Sequence, residues 1–227
     1  ATVNGIYDAW YDVAGGKGVY GKVPAYTNID ARAGGPDPSI PDGSNLNVRI
    51  INDGVSGPIG LAASTTTINS LLQDHATIAS ANDTAGKILR AGSVTINAAG
   101  ESLTIGTAVG SGTLTARDAA GELRIVNHGT NDLVINSVIA NNGSASGLIK
   151  AGSGRTVLYA VNTYSGTTYA NGGTLELAGN GTIGGADGNF DGALSVAGGA
   201  TFIYNTLTTS AALTLHAGGR PVRVLIP

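Results

Sequence analysis

Apolar residues recur in alternating pairs down most of this chain. Val94/Ile96, Leu103/Ile105, Leu114/Ala116, Leu123/Ile125, Leu133/Ile135, Leu175/Leu177, Leu194/Val196, Phe202/Tyr204 and Leu213/Leu215 each straddle a single residue. Alternation of period two marks a strand with one face buried. The starts at 94, 114 and 133, those at 175, 194 and 213, and those at 103 and 123 follow one another at an even spacing of about 20 residues. Between the pairs lie Gly, Asn, Ser and Ala, as in "NAAGES" and "NHGTND". Two short strands in each such period predict a solenoid. Strands this short do not hold as isolated hairpins, but stacked in parallel each pairs with the coil above and below at about 4.8 Å. About six coils from Val94 to Leu215 would make a rod on the order of 30 Å long.

The pattern changes in four places. "NNGSASGLIKAGSG", residues 141 to 154, reads as a longer loop. In "TTTINSLLQDHATI", residues 65 to 78, Ile68, Leu71, Leu72 and His75 have helical spacing, yet the Thr-rich, β-branched composition favours a strand. Five of the seven prolines lie at or before Pro58, the others being Pro221 and Pro227, so 59 to 220 is free of proline and suits continuous strand pairing. The start of the chain carries Tyr7, Trp10, Tyr11, Tyr20 and Tyr26, and "GGPDPSIPDG" at 34 to 43 is turn chemistry. These features divide the chain into an irregular N-terminal cap or interaction segment over 1–60, a β-solenoid over 61–219, and an edge strand or tail over 220–227. In that tail Val222, Val224 and Ile226 share one strand face, and residues 221 to 227 are expected to associate end to end or with a partner chain, lying back on the rod being the alternative.

Composition narrows the classes. The chain has 227 residues, a net charge of −3, 12% charged residues, 36 Gly, and neither Cys nor Met. Without Cys there is no disulfide, thiolate metal site or Cys nucleophile, and without Met the start at Ala1 is expected to be processed or trimmed. No Lys/Arg cluster neutralises phosphates, which argues against nucleic acid as a partner. No apolar run approaches the roughly 20 residues of a membrane-spanning helix.

"GLIKAGSGRTVLYAVNTYSGTTYANGGTLELAG", residues 147 to 179, resembles the autotransporter-associated β-strand repeat of bacterial autotransporter passengers. The matching positions are Gly147-Leu148, Lys150, Gly152-Ser153-Gly154, Leu158, Asn162 to Gly166, Thr168, Gly173-Thr174-Leu175 and Leu177. The resemblance implies an all-β, right-handed parallel β-helix and an extracellular or bacterial cell-surface home. Within the motif, Gly166, Gly172 and Gly173 are expected at corners of positive φ. Asn162 and Asn171 are expected to bond their own backbone, and Tyr164 and Tyr169 to cover a corner or stack along the rod.

Candidate chemistry is sparse. His75, His128 and His216 are scattered and none accompanies a G-x-S-x-G elbow. Asp118, Glu122, Asp132 and Glu176 are the carboxylates considered for glycoside cleavage, which needs a pair flanking a groove. "NHG", 127 to 129, faintly matches pectin-cleaving β-helices, but their paired aspartates are missing. "AGGKGVYG", 14 to 21, lacks the spacing of a phosphate loop. No catalytic residue is assigned and no cofactor is expected, with calcium as the one candidate ion. "DGNFDG" has the D-x-N-x-D-G spacing of calcium loops, which places Asp187, Asn189 and Asp191 as ligands; Gly198 stands where such a loop closes with Glu. The function expected is a secreted or cell-surface structural or adhesive rod, without catalysis. Its expected partners are its own copies, another surface protein, or a carbohydrate or host surface. A self-assembling filament subunit and a carbohydrate-active β-helix enzyme are the alternatives.

Overall fold

The alternation becomes, in the computed structural model, a stack of short strands that all run parallel to their neighbours. The structure describes residues 26–30, 39–51, 58–74, 80–82, 84–184, 193–206 and 223–225, and among these there is no helix. One sheet stacks, in order, β1 (Tyr26–Asp30), β3 (Asn47–Ile51), β5 (Thr65–Gln73), β7 (Ile88–Ile96), β10 (Glu122–Asn127), β13 (Gly147–Ala151), β15 (Thr168–Ala170) and β17 (Leu194–Val196). Beside its middle lie β9 (Thr113–Ala116) and β12 (Val138–Ala140). The other sheet stacks β2 (Ser39–Ile40), β4 (Pro58–Leu61), β6 (Ser80–Asn82), β8 (Leu103–Ile105), β11 (Leu133–Ile135), β14 (Arg155–Leu158), β16 (Thr174–Gly179), β18 (Thr201–Thr206) and β19 (Arg223–Leu225). The chain visits one sheet and then the other, so each circuit is one coil of a β-solenoid.

The interior is built from columns of like residues. Leu89, Leu114 and Ile139 lie over one another, and Ile105, Ile135, Leu158 and Leu177 run through four coils. All of these side chains are buried. Each contributes about 1.5–3 kcal/mol on burial, and the polar residue between two of them points outward because successive side chains alternate faces.

Coil length departs from the even period expected. Leu71, Val94, Ile125, Lys150, Ala170 and Val196 stack in one column, so successive coils are unequal and most are longer than that period. The equal sequence spacing links strands on different sides: Val94 is in β7, Leu114 in β9 and Leu133 in β11. Coils in the middle have three sides. The first half of β7 stacks on β9 and the second half on β10, and β12 and β13 repeat that division above them.

Three other expectations change. The stretch 141–154 holds a full strand, β13, which splits it into a loop at 141–146, where Asn142 and Ser144 form a bridge, and a tight turn at 152–154. The stack does not start at residue 61: β3 pairs with β5 and β1 with β3. Proline misled here because Pro58 stands at the first position of β4 and does not interrupt its pairing. At the other end, Arg223 to Leu225 lie in register on Thr201 to Ile203, so this part of the tail is a further rung of its own rod. The reading of 65–78 as a strand holds for Thr65–Gln73. Leu213, Leu215, His75, His216 and the segment 1–25 lie outside the described residues.

Candidate functional site

Polar chemistry concentrates in the coils from Asp132 to Ile183. Alternation along β13 puts Lys150 on the same face as Leu148, so its side chain enters the core between Ile125 and Ala170. It is fully buried. Its Nζ donates to the carbonyls of Gly152 at 2.8 Å, Gly154 at 2.6 Å and Gly172 at 2.6 Å. An ammonium has three N–H groups, and here each meets one main-chain oxygen. Burial lowers its pKa from 10.5 to about 8, because removal from water disfavours the charged form. The cage needs glycine at its corners. Gly152 has φ +80°, and a Cβ there would stand 2.2 Å from the Asn127 carbonyl oxygen; Gly173, with φ +60°, would bring one to 2.6 Å from Lys150 Nζ.

The motif Asn162 to Gly166 stitches coils from within. The Asn162 side chain accepts from Ile139 N–H at 2.8 Å and donates to the Thr182 carbonyl at 2.6 Å, and its own N–H donates to Thr182 Oγ1 at 2.8 Å. Asn162 therefore bonds its neighbours' backbones rather than its own. Tyr164 lies in the core, fully buried, with its hydroxyl 2.5 Å from Thr168 Oγ1. Burial pushes the Tyr164 hydroxyl pKa up. Tyr169 is on the opposite face of β15 and is 37% exposed. Of the three corner glycines expected at positive φ, only Gly173 has it. Gly166 is needed instead for close approach, since a Cβ would meet the Ser146 carbonyl oxygen at 2.5 Å.

On the outer surface, carboxylates face arginines. Arg155 reaches Asp132 at 2.8 Å in the preceding coil and Glu176 at 2.8 Å in the following one. Burial opposes the Arg155 charge, but the hydrogen bond to Glu176 and the charges of Asp132 and Glu176 outweigh it and raise the pKa. Asp118 pairs with Arg117, whose hydrogen bond lowers the carboxyl pKa, and Glu122 lies 3.6 Å from Arg124. His128 is exposed. Among the described residues, no three His, Asp or Glu side chains converge to hold a metal ion, and no helix is long and apolar enough to cross a membrane. Asp187, Asn189 and Asp191 lie outside the described residues. Sequence reasoning counted Lys150 as a motif position and missed its role. The signal was present, since its parity with Leu148 already sends it inward.

Comparison with known proteins places these coils. Residues 148–177 match the passenger-associated-transport-repeat family, which is the stretch from the Lys150 cage to Leu177. The chain is 37% identical over 123 residues to the Adhesin BmaC autotransporter of Brucella suis biovar 1 (strain 1330). That match covers 52% of this chain and 4% of the much longer relative. No solved structure matches.

Proposed function

We propose, for a chain that carries an autotransporter passenger repeat and resides outside the cell or at the bacterial surface, that it forms part of an adhesive rod. The observation that carries this reading is the coincidence of the repeat with continuous parallel stacking. The matched residues 148–177 span β13 to β16, and their strands pair with the coils before and after. Such a stack holds its outer side chains at fixed spacing along a rod. The similarity to a protein named an adhesin supports attachment to a surface as the task. The pairing of Asp118, Glu122, Asp132 and Glu176 with arginines supports a structural role for these carboxylates on the rod surface.

Attachment is tested by coating beads with the chain and measuring their retention on mammalian cell layers and on immobilised glycans under flow. Retention above that of uncoated beads, competed by soluble chain, is expected. Retention equal to uncoated beads on every surface would remove the adhesive reading. Growth of scattering mass with concentration in the same preparation would favour the filament alternative.

A further inference from the structure

We infer that Asn171–Gly172 is a self-modifying site, at which the Asn171 amide is lost through attack by the Gly172 backbone nitrogen. Three Asn-Gly pairs lie among the described residues, and their surroundings differ. Asn142 is held: its Nδ2 donates to the carbonyls of Ala116 at 3.1 Å and Arg117 at 2.9 Å, and its N–H donates to Ser146 Oγ. Asn180 is exposed, but the attacking group beside it is engaged, because Gly181 N–H donates to the Ala178 carbonyl at 2.9 Å. Asn171 is exposed, its side chain makes no hydrogen bond, and the N–H of Gly172 makes none either. Among these three pairs, only here are both reacting groups free.

Two further features act on this pair. The Asn171 N–H donates to the Lys150 carbonyl at 2.8 Å, and the Gly172 carbonyl accepts from Lys150 Nζ at 2.6 Å. The main chain is thus pinned on both sides of the reacting peptide link while the Asn171 side chain stays free. The ammonium that grips the Gly172 carbonyl also places positive charge close to the Gly172 nitrogen, which favours the amide anion that must form for attack. In the reaction the Gly172 nitrogen gives up its proton and bonds to Asn171 Cγ. The Cγ–Nδ2 bond breaks and ammonia leaves, closing a five-membered imide. Water then opens the imide at either carbonyl, giving aspartate or, with an extra carbon in the main chain, isoaspartate. The second product lengthens the backbone between the two Lys150 contacts and unseats the Gly172 carbonyl from the cage.

The test is ageing of the 227-residue chain at neutral pH and body temperature, with peptide mapping by mass spectrometry and an isoaspartate methyltransferase assay. Conversion of Asn171 is expected to outpace that of Asn142 and Asn180 by at least about tenfold, equivalent to about 1.4 kcal/mol in barrier height. Gly172→Ala should suppress it by obstructing the attack. That variant keeps the fold, since the added Cβ would meet nothing closer than the Gly152 carbonyl oxygen at 3.4 Å. Equal conversion at all three sites, faster conversion at Asn180, or full conversion at Asn171 in the Gly172→Ala chain would each overturn the inference.

Discussion

Lys150 reverses the usual relation between charge and burial. A lone ammonium in a core is costly, and the hydrogen bonds of this one go to three carbonyls rather than to a carboxylate. Lys150→Met keeps the volume but leaves the Gly152 and Gly172 oxygens without donors, while the Gly154 oxygen keeps the Thr174 N–H at 3.2 Å, and it is expected to cost about 3 kcal/mol, read as a lowered urea midpoint. The pH dependence has a definite sign. The folded pKa of about 8 lies below the ordinary 10.5, so between these values the unfolded chain holds a proton that the folded chain has shed. The contribution of this group to stability therefore rises with pH across that window and is flat below it. The urea midpoint of the native chain, measured against Lys150→Met, should climb from pH 8 to pH 10.5; a decline would refute the assignment.

At the scale of the strand and its turns, alternation was legible and periodicity was not. Leu103, Ile105, Leu133, Ile135, Leu175 and Leu177 all point inward, as their spacing says. The misread period has a geometric cause. Strands recur about every ten residues on successive sides, so in the three-sided middle coils a spacing of twice that compares Val94 with Leu114 and Leu114 with Leu133, which do not stack on one another. β13 was hidden because glycine, serine and asparagine surround it, and Lys150 broke its apolar run. Leu175→Asp buries a charge against Thr156 and Phe202, its neighbours in the stack, and is expected to cost more than about 4 kcal/mol. An unchanged melting temperature would show the side chain is not inward. For the sequence stretch with Asp187, Asn189 and Asp191, the proposal is a weak calcium site. Millimolar calcium should then raise the melting temperature, because a ligand selective for the folded state stabilises it, and Asp187→Ala should abolish the increment. No shift would remove calcium as a ligand of this stretch.

Among the described residues each coil stacks on its neighbours, and Arg117 to Asn69 and Thr84 to Ser137 reach one coil further, so contacts accumulate into one long core. Far-ultraviolet circular dichroism of the chain is expected to be β-dominated, and a strong helical minimum would contradict the stack. The orientation of the strands has a mechanical consequence. They lie across the rod, so the hydrogen bonds between coils run along it. Traction on a tethered rod would then load those bonds end-on, and coils would peel away in turn, in the manner of a zip. Resistance would rise where clasps cross more than one gap. Arg155 reaches both flanking coils, and Asn162 bonds Ile139 on one side and Thr182 on the other. The repeat at 148–177, like the coils joined by Arg117 to Asn69 and Thr84 to Ser137, would thus resist peeling under drag.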